Sequence, residues 1–158
     1  DPAAAGVIEI KIRELNENPA FSHCRVLAIA AALLRNAGLT LALAGLLRQP
    51  GVRGHAQCEL RVMLGKVNSA LNETEARNVS LRELYLARGL FLAGDVNGLG
   101  RTVLEAYTYD LRGHYARHAR AILEQVVTDV RTSVPGSVQG LPRSTIVIFP
   151  VDREIAAP

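Results

Sequence analysis

Apolar side chains recur at intervals of three and four residues through most of this chain, and this spacing constrains the fold more than any other feature. In an α-helix such residues share one face, whereas a half-buried strand requires strict alternation. The pattern therefore predicts a mainly α fold. The stripe between His55 and Asn72 is typical of it and consists of Leu60, Met63, Leu64, Val67 and Leu71.

Turn-forming and capping residues divide this pattern into a four- to five-helix bundle. Ser80 and Glu83 have the spacing of a capping box, which predicts that a helix begins at Ser80. Gly113 lies within the last segment, where it favours a bend or a break. The predicted helices span residues 19–36, 40–49, 55–72, 80–93 and 95–131.

The first residues of the chain follow a different pattern. Between residues 7 and 15 apolar side chains alternate with charged ones, so that Ile8, Ile10 and Ile12 would lie on one side of an extended chain. Period-two alternation with β-branched residues predicts a short N-terminal strand.

The last residues also predict extended structure. Residues 133–143 are rich in Pro, Gly and Ser and predict a linker, and residues 144–149 predict a strand that carries Ile146 and Ile148. The two end strands can pair with each other, or one of them can pair with a second subunit or a partner. The expected organisation is an extended arm over residues 1–15, a helical bundle over 16–132, and a linker and strand over 133–158.

Composition excludes several classes of protein. Hydrophobic residues make up 49% and charged residues 21% of the 158-residue chain, which is enough apolar surface for a core and unlike a disordered chain. The longest apolar run, Val26–Leu34, is shorter than the roughly 18 residues of a membrane helix, so no membrane span is expected. The net charge of +3 does not require a nucleic-acid partner.

The cysteines and the glycosylation-type motifs leave several properties open. Cys24 and Cys58 can form one disulfide or remain two reduced thiols. Asn72 and Asn78 each begin an Asn-x-Ser/Thr pattern, which matters only in a secreted chain. The compartment is therefore not indicated.

Histidines and arginines between residues 112 and 120 form the candidate functional motif. His114 and His118 lie one helical turn apart, a spacing that can hold zinc, but no third ligand follows from the sequence and a solvated helix face explains the pair. Together with Arg112, Arg117 and Arg120 they form a basic patch suited to an anion, a phosphate or a nucleic acid. No nucleophile elbow, nucleotide loop or metal-finger spacing is found. We therefore assign no catalytic, cofactor-binding or metal-binding residue, and an enzyme is disfavoured.

Two segments resemble known families. Leu90–Val103 reads Leu-Phe-Leu-Ala-Gly-Asp-Val-Asn-Gly-Leu-Gly-Arg-Thr-Val and resembles the Gly-Arg motif that opens the central helix of Bcl-2-like apoptosis regulators. Leu60–Val67 takes the place of that family's upstream ligand-like helix. The resemblance implies a buried central helix that starts near Asn97 and a groove for an amphipathic peptide, although the chain has no Trp and is polar after Arg101. Leu84–Ala106 is similar to one helical hairpin of the tetratricopeptide kind.

These observations favour a non-enzymatic helical interaction or assembly module, which would self-associate or bind a protein partner through helix faces and terminal strands. One alternative is a Bcl-2-like groove-binding regulator of apoptosis. The other is a nucleic-acid- or phosphate-binding protein that uses the basic patch. No cofactor is expected. The predicted contact residues are Ile8, Ile10, Ile12, Ile146 and Ile148.

Overall fold

A computed structural model describes residues 2–15, 19–67 and 73–132, and this part of the chain forms seven α-helices and no strand. The prediction of a mainly α fold is confirmed, but the number of helices exceeds the predicted four to five. The first segment is an additional helix, and the predicted last helix is two. The helices are α1 (Pro2–Arg13), α2 (Phe21–Leu34), α3 (Ala37–Leu47), α4 (Leu60–Val67), α5 (Glu73–Ala93), α6 (Leu99–Tyr107) and α7 (Gly113–Thr132).

The strand predicted over residues 7–15 is wrong, because α1 occupies most of this segment. Ile12 is buried, whereas Ile10, which a strand would place on the same side, is 56% exposed. Glu9 and Arg13 form an ion pair of 2.8 Å across one helical turn, which stabilises the helix. The same segment also carries apolar residues at helical spacing, namely Ala5, Ile8, Ile12 and Leu15. Of these, Ala5 and Ile12 are buried in the core, and Ile8 and Leu15 pack against it.

The predicted last helix is divided into α6 and α7 by a turn over residues 108–112. The N-cap residue of α6 is Gly98, and the carboxylate of Asp95 accepts the first-turn N–H groups of Gly100 and Arg101 at 2.8 and 3.0 Å. Gly113, where the sequence favoured a break, is the first residue of α7. The linker and strand predicted over residues 133–158 lie outside the described residues.

The start predicted for the fourth helix is also wrong, because α5 begins at Glu73 and continues through Ser80. The hydroxyl of Ser80 donates to the carbonyl of Ala76 at 3.0 Å, as a serine within a helix often does. The segment upstream of Ser80 contains good helix formers and no Pro or Gly. The Ser-x-x-Glu spacing therefore marks one face of a continuing helix and not its first turn.

Helix α5 is the centre of the fold. Helices α2, α3, α6 and α7 all pack on it, and α1 packs against α2 and α3. Within the described residues, no helix combines the length and the apolar character needed to cross a bilayer. The largest fully buried side chains of α5 are Leu84, Leu86 and Leu90.

Two glycines allow the helices that contain them to contact the backbone of a neighbouring helix directly. A Cβ atom on Gly89 of α5 would lie 2.6 Å from the carbonyl oxygen of Ala28 in α2. A Cβ atom on Gly100 of α6 would lie 2.8 Å from the carbonyl oxygen of Ala87 in α5. Both distances are shorter than a close-packed interior allows, so only glycine fits at these crossings without a shift of the backbone.

Replacing Gly89 with alanine is expected to lower the free energy of unfolding by about 1–3 kcal/mol, because α2 must move away from α5 to admit the methyl group. Urea denaturation of the two proteins measures this difference. Gly45→Ala is the matched control, since a Cβ on this helical glycine meets nothing within 4 Å, and it is expected to raise stability by roughly 0.5–1 kcal/mol. Equal effects of the two substitutions would contradict the close contact of α2 with α5.

Candidate functional site

The predicted contact residues do not form one exposed surface. Ile12 is buried and Ile8 is half-buried against the core, so that Ile10 is the exposed one of the three in α1. Ile146 and Ile148 lie outside the described residues.

Arg112, the first residue of the predicted basic patch, is held by an internal ion pair. Its Nε and Nη2 atoms donate to the two carboxylate oxygens of Asp110 at 2.9 and 2.7 Å, and its guanidinium lies 4.3 Å from the ring centroid of Tyr115. This bidentate pair is mostly buried, so Arg112 offers little charge to an external anion.

His118 also points toward the protein. Its ring lies 5.8 Å from that of Tyr85, and Nε2 is buried without a hydrogen-bond partner among the described residues. Burial lowers the pKa of His118, and the nearby charge of Arg88 lowers it further. The patch is thus divided, and the residues that remain on the exposed surface of α7 are His114, Arg117 and Arg120.

The cysteines are both free thiols. Cys24 is buried, and burial raises its pKa to about 11 despite the opposing charge of Arg82. The exposed Cys58 has a pKa raised by desolvation and then by the carboxylate of Asp110. Both thiols therefore stay protonated near neutral pH, unlike a nucleophilic cysteine. No group of three His, Cys, Asp or Glu side chains in the described part of the chain is arranged to hold a metal ion.

A buried polar cluster, which the sequence analysis missed, ties the loop between α3 and α4 to the centre of the fold. Glu83 of α5 is its core: Oε1 accepts the N–H of Gly54 at 2.9 Å, and Oε2 accepts the N–H of His55 at 2.8 Å. The hydroxyl of Tyr107 donates to the same Oε2 at 2.9 Å. Burial and the charge of Glu83 raise the pKa of Tyr107, so that its phenol remains a donor. The cluster consists of Ser80, Glu83, Tyr107, Asp110 and Arg112.

Asp110 and Arg112 complete the polar cluster on the other side of the loop. The carboxylate of Asp110 accepts the N–H of Gln57 at 2.9 Å, and Arg112 donates to the carbonyl of His55 at 3.0 Å. Burial alone would raise the pKa of Asp110, but the hydrogen bonds from Arg112 and from the backbone lower it below its usual value. The charged groups are thus paired with one another and with backbone groups, so the cluster positions a loop and does not present free groups to a ligand.

Helix α2 exposes several of its large apolar residues to solvent. The face that packs on the bundle carries the small residues Cys24, Ala28 and Ala31, all of which are buried. Val26, Ile29 and Leu33 follow on the opposite side at spacings of three and four residues and are 65%, 41% and 79% exposed.

An open groove of about 250 Å³, the α2–α5 groove, has two walls. One wall is formed by residues 28–35, which are the end of α2 and its C-cap, and the other by residues 85–92 of α5. Ala28 and Gly89, at the close crossing of the two helices, are among its lining residues. Ile29, Leu33 and Leu92 supply large apolar side chains to its walls.

The α2–α5 groove is electrostatically positive. Arg35 and Arg88 line it, and no Asp or Glu is among its lining residues. Arg25 adds a third guanidinium, 5.5 Å from the ring centroid of Tyr85, which also lines the groove. The groove therefore combines an apolar surface with basic margins.

Replacing Tyr107 with phenylalanine is expected to destabilise the protein by about 1.5–3 kcal/mol, because the carboxylate of Glu83 loses one of its donors in a buried place. Tyr109→Phe is the control, since Tyr109 is 74% exposed, and it should change stability by less than about 0.5 kcal/mol. Thermal and urea denaturation provide the comparison. If both variants unfold like the parent protein, the hydroxyl of Tyr107 does not hold Glu83 as described.

Comparison of the chain with protein-family models, with curated proteins and with solved structures finds no match. The resemblance to Bcl-2-like regulators therefore depends only on segments 90–103 and 60–67, and the resemblance to a tetratricopeptide repeat only on segment 84–106.

Proposed function

We propose that this chain is a non-enzymatic interaction module that binds a helix of a protein partner along the α2–α5 groove. The observation that carries the proposal is the orientation of α2, which buries its small residues and exposes Val26, Ile29 and Leu33. Single exposed apolar side chains are common on protein surfaces, but a contiguous row beside a groove is typical of a binding surface.

The dimensions of the groove favour a helix as the occupant. It follows eight residues on each side, 28–35 and 85–92, or about 10 Å from the first to the last at 1.5 Å per residue. This is two turns, the length over which an amphipathic helix presents anchors at positions i, i+3 or i+4, and i+7. The volume of about 250 Å³ is small for an enclosed small-molecule site, which usually has at least about 300 Å³.

A partner of different sequence is favoured over a second copy of this chain. Two copies that met through this face would be related by a two-fold axis and would bring the same positively charged patch of both copies into one interface. The interface would then contain two sets of Arg25, Arg35 and Arg88, and α2 contains no acidic residue to offset them. Self-association is accordingly the main competing outcome of the test below.

The two alternative functions have less support. The helix that starts near Asn97, which the Bcl-2-like resemblance makes central, is α6 and ends at Tyr107, whereas the helix on which the others pack is α5. For nucleic-acid binding, Arg112 is neutralised by Asp110 and His118 points inward, which leaves a smaller basic surface on α7. The proposal that a helix binds in the α2–α5 groove depends on neither of these alternatives.

Replacing Leu33 with aspartate is expected to weaken helix binding. Peptides are first selected on the parent protein from a displayed library of 20-residue amphipathic helices that share one leucine stripe. The Kd of a selected peptide, measured by fluorescence anisotropy, should then rise at least about tenfold for Leu33→Asp, or about 1.4 kcal/mol, because a charge is buried against the apolar stripe.

The matched control is Leu41→Asp, which changes a comparably exposed leucine of α3 outside the groove. Its Kd should stay within about twofold of that of the parent protein, in keeping with a site confined to a few central side chains. Failure to select any peptide, or equal losses for both variants, would overturn the proposal. A concentration-dependent dimer that Leu33→Asp dissociates would also overturn it, in favour of self-association.

A further inference from the structure

We infer that the partner helix is acidic, with carboxylates flanking its apolar stripe so that they meet Arg35 and Arg88 at the margins of the α2–α5 groove. The inference deepens the proposed function and rests on it. It concerns the class of partner that the groove accepts.

The groove has no carboxylate among its lining residues that could pair with its two arginines. Two exposed arginines elsewhere do have a carboxylate beside them: Arg13 pairs with Glu9 at 2.8 Å, and Arg101 lies 3.6 Å from Glu105. Neither Arg35 nor Arg88 forms an ion pair with any residue that the structure describes. Two guanidinium groups thus border an apolar groove without a carboxylate to balance them.

The surroundings of Arg88 show that its charge is not compensated locally. Its side chain is half-buried among the groove residues, and its positive charge lowers the pKa of His118 on α7. On the opposite wall, Arg35 is the C-cap of α2 and has φ of 46°, in the left-handed region that usually favours Gly or Asn. Its backbone therefore places an arginine side chain at the end of the groove in a conformation with an energetic cost.

A carboxylate on the partner suits each arginine better than a lysine, which has no acceptor, or a glutamine, which offers a single neutral amide oxygen. The planar guanidinium can bind a carboxylate through two parallel N–H donors, and such charge-assisted bonds are stronger than neutral ones. At the margin of an apolar contact, these pairs also reject partners of like charge. Basic amphipathic helices should accordingly be excluded even when their apolar stripe fits.

The test uses a displayed library in which the leucine stripe is constant and the flanking positions are varied among Glu, Lys and Gln. Selection on the parent protein should enrich glutamate at the flanking positions, and an enriched peptide should bind at least about tenfold more weakly to Arg88→Glu. The double variant Arg35→Glu/Arg88→Glu should reverse the selection, so that lysine is enriched. Arg61→Glu, an exposed position of α4 outside the groove, should select the same peptides as the parent protein.

The salt dependence of the parent protein gives a readout that does not depend on any variant. Affinity for a glutamate-flanked peptide should fall as sodium chloride is raised from about 50 to about 500 mM, whereas affinity for the glutamine-flanked form of the same peptide should change little. Enrichment of lysine or glutamine in peptides that Leu33→Asp still fails to bind would overturn this inference and leave the proposed function intact. Absence of any enriched helix would overturn both.

Discussion

The direct contact of α2 with α5 at Ala28 and Gly89 determines how the rest of the structure is arranged. Because a Cβ on Gly89 would lie 2.6 Å from the backbone of Ala28, the two helices meet without intervening side chains. Such a contact requires the small face of α2 to point inward, and the opposite face of the same helix must then point outward. The groove beside the crossing and the exposed row of Val26, Ile29 and Leu33 are consequences of that single constraint.

The buried polar cluster stabilises the fold in a different way. The loop between α3 and α4 has no regular structure, yet its backbone N–H groups at residues 54, 55 and 57 all find carboxylates, from Glu83 and Asp110. Arg112 and Tyr107 bind these carboxylates from the opposite side, which offsets the cost of burying two negative charges. The polar groups of the cluster thus bind one another and the loop, whereas Arg35 and Arg88, which form no ion pair with a described residue, border the groove.

The sequence predicted the helical class correctly because the apolar stripes extend over many residues and dominate local propensity. It failed where one segment satisfied two patterns. Ile8 and Ile12 fit both an alternating strand and a helical stripe. The helix is favoured because it also brings Ala5 into the core and Leu15 against it. Ser80 and Glu83 fit both a cap and the interior face of a longer helix, and only the distant partners of Glu83, at Gly54, His55 and Tyr107, distinguish the two. The groove was not predictable, because it depends on which glycine of α5 meets which alanine of α2, although the small residues Cys24, Ala28 and Ala31 at helical spacing were visible.

The outward orientation of α2 can be measured directly by the reaction of thiols with a maleimide, since α2 contains a natural cysteine on its small face. In a Cys58→Ser background, Cys24 should be protected from the maleimide until the protein unfolds, because its side chain is fully buried on the inward face of α2. With Cys24→Ala and Leu33→Cys added to that background, the new thiol should react within about tenfold of the rate for an unfolded chain, since Leu33 is 79% exposed. Rapid labelling of Cys24 together with protection at position 33 would mean that the small face of α2 points outward, which would contradict its contact with α5.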